Sequence, residues 1–152
     1  MKKLKFVNKS PNFNPRFSDD GSSGFDLRAW IDNNEKRITL KPLERALIHT
    51  GIYFEVPEFC EIQVRPRSGL AIKKGLSIIN TPGTIDESYT GECCILAVNL
   101  SDSAITIEDG DRIAQGVLCP VLNGKMTELI EIEEITKVTE RNDGGFGHTG
   151  VK

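Results

Sequence analysis

Apolar and polar side chains alternate along Glu61-Ile62-Gln63-Val64-Arg65, the period-two pattern of a strand that buries one face. Ile52-Tyr53-Phe54-Glu55-Val56 and Arg45-Ala46-Leu47-Ile48-His49 carry β-branched and aromatic residues over strand length. Further strand-like runs cover 4–7, 25–30, 37–40, 77–80, 93–100, 104–107, 112–121 and 129–135. Turn formers punctuate them at Gly51, Pro57, Pro82-Gly83, Asp109-Gly110-Asp111 and Asn123-Gly124. Many short strands at close spacing predict an all-β fold, a sandwich, jelly roll or barrel. One segment reads as helix: Ser68-Gly69-Leu70-Ala71-Ile72-Lys73-Lys74-Gly75 opens on a capping residue, ends in two cations and stops at glycine. Neither a repeat nor a linker interrupts the chain, which is read as one domain over 1–152. The last dozen residues, 141–152, are glycine-rich around a single aromatic, and predict a tail that moves until a ligand orders it.

Length agrees with one domain, since 152 residues suffice for a substantial core. A formal charge of -3 excludes general attraction for nucleic acid or an anionic membrane, so an anionic ligand has to be held by local groups. No apolar run approaches the roughly 20 residues of a membrane span, and the opening residues lack the apolar stretch of a signal peptide. Cys60, Cys93, Cys94 and Cys119 include no C-x-x-C pair. Cys93 and Cys94 are adjacent in a strand-like run and so point to opposite faces. This spacing argues against a disulfide framework and against a zinc site, and points to reduced thiols and a cytoplasmic location. His49 and His148 are read as too isolated to build a metal centre.

Three segments carry candidate chemistry. Arg65-Pro66-Arg67-Ser68-Gly69-Leu70-Ala71 leaves a strand and enters the predicted helix. Unpaired amides at a helix start, the Ser68 hydroxyl, the close approach that Gly69 permits and the forked cation of Arg67 suit an anion. The same residues are equally compatible with a capped turn and a surface arginine. Asn80-Thr81-Pro82-Gly83-Thr84-Ile85-Asp86-Glu87-Ser88-Tyr89-Thr90-Gly91-Glu92 forms a long hairpin-like connection. Such a hairpin offers backbone donors and acceptors to a planar base, with an aspartate able to position water, or is a polar surface turn. Gly144-Gly145-Phe146-Gly147 can fold an aromatic over a planar ligand while Arg141 meets a charge, or is a disordered end. Two further turns, 21–29 and 110–115, feed strands; in the first, Asp26 and Arg28 flank Leu27 and suit an ion pair. Glu128, Glu131, Glu133 and Glu134 read as a solvated strand face.

Taken in order, the segments resemble the five motifs of the trimeric deoxyuridine triphosphate nucleotidohydrolases, the dUTPases. The matches are Gly-Ser-Ser-Gly-Phe-Asp-Leu-Arg-Ala at 21–29, Pro-Arg-Ser-Gly-Leu-Ala at 66–71, Gly-Thr-Ile-Asp-Glu-Ser-Tyr-Thr-Gly at 83–91, Gly-Asp-Arg-Ile-Ala-Gln at 110–115 and Arg-Asn-Asp-Gly-Gly-Phe-Gly-His-Thr-Gly at 141–150. The resemblance implies a distorted jelly roll or β-barrel with one short helix, assembled as a homotrimer whose active sites are shared between subunits. It implies hydrolysis of dUTP to dUMP and pyrophosphate, which keeps uracil out of DNA and supplies dUMP for thymidylate synthesis. Asp86 matches the aspartate that orients water toward the α-phosphorus, and Tyr89 the ring against the deoxyribose. Asn80, Gly83, Thr84 and Ile85 match the segment that reads uracil. Arg67, Ser68, Gly69 and Gln115 match phosphate contacts, and Asp26 a supporting carboxylate. Arg141 would hold the γ-phosphate and Phe146 would stack on uracil, while Gly147, His148 and Thr149 belong to a lid closing over the phosphates. Mg²⁺ is expected on the triphosphate and its waters, not in a protein cage, because magnesium keeps waters and binds through substrate phosphates. Three positions depart from the family pattern. Asn142 stands where a glycine is usual, His148 replaces a serine, and Gly116 replaces a larger apolar residue. Two other readings remain: the related dCTP deaminases, and a dUTP-binding regulatory protein with little turnover.

Overall fold

The computed structural model describes residues 2–145. Most strands form where the sequence pattern predicts them, and one, β8, forms inside the hairpin-like connection: β1 (Lys5–Asn8), β2 (Gly24–Arg28), β3 (Arg37–Leu40), β4 (Arg45–Ile48), β5 (Ile52–Glu55), β6 (Cys60–Pro66), then α1 (Ser68–Lys74), β7 (Leu76–Ile78), β8 (Gly83–Ile85), β9 (Ile95–Asn99), β10 (Ile105–Glu108) and β11 (Arg112–Pro120). All strand pairs are antiparallel. They group as β2-β11-β6-β8, β4-β9-β7, β1-β5 and β10-β3. Among the described residues these sheets do not join into a closed barrel, so the expected architecture holds as a β-rich fold with one short helix and not as a complete barrel.

The alternation in β6 has its predicted effect, with Cys60, Ile62 and Val64 buried and Glu61 and Gln63 half-buried. Leu27, Leu40, Ile48, Ile62, Ile95 and Ile107 are almost wholly excluded from water, and each such side chain contributes about 1.5–3 kcal/mol relative to exposure. Among the described residues no buried side-chain nitrogen or oxygen lacks a hydrogen-bond partner. The Asn99 amide donates to the carbonyls of Leu40 (2.9 Å) and Ser103 (2.7 Å), and Thr50 Oγ1 donates to the Cys93 carbonyl (2.6 Å).

The chain divides into two compact units, Met1–Leu122 and Asn123–Lys152. The first holds every strand and the helix found among the described residues. In the second, the expected strand over 129–135 does not form within this chain. Glu128, Glu131, Glu133 and Glu134 are solvated as expected, but so are the apolar residues between them: Leu129 is 95% exposed and Ile130 72%. Among the described residues no strand pairing involves this segment, and an isolated extended segment gains nothing from its β-branched residues. The second unit does contain hydrogen-bonded turns, one at 123–127 and one at 139–144. The backbone and side chain of Asn142 bond those of Thr139 (3.0–3.2 Å), and Arg141 Nε donates to the Gly144 carbonyl (2.7 Å).

Candidate active site

β2 and β6 lie on either side of β11, and this arrangement gathers the first two motifs. Gln115 on β11 stands opposite Asp26 on β2 and Arg65 on β6, so Asp26 and Gln115 project from the same face. A bulge between Arg112 and Ala114 interrupts the β2–β11 register. β6 runs directly into α1, so Arg67 sits between strand and helix, in extended conformation with φ −94° and ψ 125°. Arg67, not Ser68, therefore occupies the capping position, and no side chain caps the helix. Ser68 is the first helical residue; the first intrahelical amides to bond are those of Leu70 and Ala71, which donate to the Arg67 carbonyl at 3.0 Å. At the other end Gly75 adopts φ 69° and closes the helix as predicted.

Asp26, Arg67, Ser68, Gly69 and Gln115 meet around one cleft of about 550 Å³. Asp26 holds two guanidinium groups, Arg67 Nε at 3.4 Å and Arg112 Nη1 at 3.1 Å, while Arg67 Nη1 donates to the Arg112 carbonyl at 2.7 Å. The pairing considered between Asp26 and Arg28 is not made; Arg28 Nη1 donates to the Gly110 carbonyl instead, at 2.7 Å. Gln115 Nε2 donates to the Pro66 carbonyl at 2.9 Å. A cleft lined by a guanidinium, hydroxyls and an amide is built for an anion, and its single carboxylate is already committed to arginines. Lys73 also lines the cleft. The sequence pattern accounts for it only as a cation in the last helical turn; the fold places it on the cleft that Asp26 and Gln115 also line.

The hairpin is ordered differently from expectation, because β8 forms inside it and pairs with β6 as Ile62↔Ile85, Gln63↔Thr84 and Val64↔Gly83. A Cβ at Gly83 would come 3.2 Å from Asn80 Nδ2 and 3.5 Å from Val64 Cβ, so Asn80 and Gly83 are in contact. Beyond β8, the Tyr89 amide closes a turn onto the Asp86 carbonyl (3.1 Å), and the Tyr89 hydroxyl donates to the Glu92 carbonyl (3.0 Å). The Tyr89 ring lies over Gly91, where a Cβ would meet its Cζ at 2.6 Å. Asp86 is exposed. None of Asn80, Gly83, Thr84, Ile85, Asp86 or Tyr89 is among the described residues lining the cleft of Arg67, so one chain presents the two halves of the set separately. Arg141 belongs to the second unit. Phe146, Gly147, His148 and Thr149 lie outside the described residues.

The fold and the cleft define a class: an antiparallel, β-rich chain with an arginine-lined cleft suited to an anion and a separate, ordered hairpin. The dUTPase family model matches residues 12–150. The chain is 55% identical over 148 residues to the deoxyuridine 5'-triphosphate nucleotidohydrolase of Finegoldia magna, covering 97% of this chain and 99% of that protein. It is 51% identical to that of Fusobacterium nucleatum, covering 90% and 88%. Its fold matches the dUTPase of Staphylococcus bacteriophage 80alpha, solved with dUpNHpp, with TM-score 0.85 and 27% identity over 99% of this chain and 100% of that one. This chain belongs to the dUTPase family.

Proposed function

We infer that the protein hydrolyses dUTP to dUMP and pyrophosphate. The observation that carries this reading is the convergence of Asp26, Arg67, Ser68, Gly69 and Gln115, drawn from separate stretches of sequence, on one anion-binding cleft. Neither dCTP deamination nor a binding protein without turnover is favoured, since the relatives at about half identity are named as nucleotidohydrolases.

In the mechanism, Arg67, Ser68, Gly69 and Gln115 bind the phosphates, and Asp26 keeps Arg67 aimed by holding its Nε. The Asp86 carboxylate accepts a proton from a water that attacks the α-phosphorus. The new P–O bond forms as the bond to the bridging oxygen breaks, and pyrophosphate leaves. Phosphoryl transfer needs little covalent help from protein, so positioning and charge neutralisation carry most of the rate. Asn80, Gly83, Thr84 and Ile85 read the uracil edge, and the Tyr89 ring packs against the deoxyribose. Arg141 meets the γ-phosphate, and Phe146, Gly147, His148 and Thr149 cover the bound nucleotide as part of a lid over 141–152.

Mg²⁺ fits this donor set as a passenger on the triphosphate, because the cleft supplies cations and hydroxyls, with its only carboxylate engaged by Arg67 and Arg112. When bound, it neutralises phosphate charge. A structural Mg(II) ion is described in the dUTPase of phage phi11, whose fold matches at TM-score 0.76 with 23% identity over 90% of this chain.

The site is completed by assembly into a homotrimer. Two observations support this. The hairpin and the phosphate cleft do not meet within one chain, and the segment around Leu129, Ile130 and Ile132 is apolar, strand-like in sequence and exposed, as a strand that pairs with another copy would be. Cytoplasmic residence is supported by the unpaired cysteines; among the described residues no helix is long and apolar enough to cross a membrane. Pyrophosphate release from dUTP, dTTP, dCTP and UTP, with magnesium and then with excess chelator, tests the reading. Release from dUTP alone, abolished by chelator, is expected; no release with dUTP still bound would replace hydrolysis by a binding function.

A further inference from the structure

Outside the phosphate cleft, one cluster brings three different ligand atoms together. His49 Nδ1 lies 2.9 Å from Glu92 Oε2 and 3.7 Å from Cys94 Sγ, and all three ligand atoms fall within 4.8 Å of one another. In sequence the histidine is more than forty residues from the other two, and only the antiparallel pairing of β4 with β9 closes the gap.

The cluster is mounted on rigid backbone. His49 is held through its bridge to Trp30, and Glu92 through its bridge to Tyr53. The other Glu92 oxygen, Oε1, accepts from the amides of Thr50 (3.0 Å) and Gly51 (2.7 Å), which fixes the carboxylate and leaves Oε2 facing the imidazole. A ligating carboxylate oriented by backbone donors is the outer-shell arrangement that metal sites use. The tetrahedral edge for bonds of about 2.0–2.3 Å is about 3.3–3.8 Å, and the His49–Cys94 separation of 3.7 Å falls inside it. The His49–Glu92 separation of 2.9 Å has to open by only a few tenths of an ångström.

We propose that His49, Glu92 and Cys94 form a binding site for one zinc-class divalent ion per chain, with three protein ligands and an open fourth position. The nitrogen, oxygen and sulfur donors select a borderline ion over magnesium, which takes oxygen ligands. A bound cation would hold the Cys94 side chain as the thiolate and release a proton. The ion would fix the same residue whose carbonyl anchors the Tyr89 hydroxyl, so the site lies at the foot of the substrate-reading hairpin. The expectation from sequence that His49 is too isolated for a metal centre gives way to this geometry.

The test uses the full chain with Co²⁺ as spectroscopic probe and Zn²⁺ in competition with a chromophoric chelator. The wild type is expected to bind one ion per chain with a thiolate-to-cobalt charge-transfer band and intense tetrahedral visible bands. Cys94→Ser should abolish the charge-transfer band and weaken zinc at least tenfold, His49→Ala should weaken zinc at least tenfold, and Cys119→Ser should change neither. Circular dichroism and dUTP turnover in magnesium establish that each variant is folded. Zinc affinity unchanged in both Cys94→Ser and His49→Ala, loss of the band in Cys119→Ser, or absence of any thiolate band in the wild type would each overturn the proposal.

Discussion

Gly116 and Phe25 divide one space between them. They face each other across the β2–β11 pair, and a Cβ on Gly116 would lie 2.5 Å from both Cε2 and Cζ of the Phe25 ring. The ring also packs edge-on to Phe17, with centroids 5.8 Å apart, and tilted against Phe54 at 5.6 Å. Phe25 thus fills, from the opposite strand, the volume that a side chain at 116 would occupy.

A double-mutant cycle checks this. Gly116→Leu is expected to destabilise by about 1–3 kcal/mol through overpacking, and Phe25→Ala by about 3–5 kcal/mol through a cavity. Combined, they should cost less than the sum by at least about 1 kcal/mol, because the leucine fills the vacated ring volume. Urea unfolding at one fixed protein concentration measures all four proteins; strict additivity would show that the two residues do not share the space.

Gly24 sets the position of Gln115. A Cβ at Gly24 would sit 2.5 Å from Gln115 Oε1, the far end of a side chain that can swing away. Gly24→Ala is therefore expected to leave the unfolding midpoint nearly unchanged while breaking the bond from Gln115 Nε2 to the Pro66 carbonyl. The KM for dUTP should rise about threefold to tenfold, or about 0.7–1.4 kcal/mol of binding. Unchanged KM would mean that Gln115 does not need that bond to meet its ligand.

How much of this was legible in the sequence depends on whether the signal is local. The alternation of β6 and the stop at Gly75 are local, and both appear where expected. The cap moved from Ser68 to Arg67 because the extended backbone that follows β6 ends one residue earlier than the serine suggests, and Ser68 is already helical. The segment 129–135 has strand composition but forms no strand among the described residues, and composition does not say whether a partner is present. Asp26, Arg67 and Gln115 were recognisable only as parts of motifs. Their mutual geometry, the Asp26 clamp on two arginines above all, follows from β11 lying between β2 and β6. Lys73 and the His49–Glu92–Cys94 cluster carry no local signature and emerge only from packing.

Asp26 tests the clamp. Its side chain is 20% exposed and that of Arg67 29%, so their attraction is only partly screened. Asp26→Asn keeps the shape but removes the charge that holds Arg67 Nε and Arg112 Nη1. KM for dUTP should rise about tenfold with a smaller loss in kcat, the pattern of weakened ground-state binding. A kcat that falls while KM stays constant would make Asp26 a participant in the chemical step.

For Asp86 the opposite pattern is expected. Asp86→Asn retains the size of the side chain and its place after β8, but a neutral amide accepts a proton from water poorly. The drop in kcat should be on the order of 10²–10⁴-fold, with the affinity for dUpNHpp within about threefold of wild type. Isothermal titration with the analogue separates the two quantities, and near-normal turnover would remove Asp86 from the role of base.

Asn142 closes its turn in a backbone conformation that suits glycine. Its φ of 43° lies in the left-handed region, which glycine adopts freely and asparagine more readily than other residues. Its side chain adds a bond from the Thr139 amide to Oδ1 at 3.1 Å, and the turn it closes presents Arg141, whose Nε is tied to Gly144 at 2.7 Å. Asn142→Gly should therefore keep KM within about twofold. Asn142→Val forces a β-branched residue into the left-handed region at about 1–3 kcal/mol, enough to open the turn, and should raise KM about tenfold while the unfolding of the β-rich unit is unchanged. Steady-state kinetics beside thermal unfolding reads both effects. A valine variant with wild-type KM would separate the Thr139–Gly144 turn from the binding of the triphosphate.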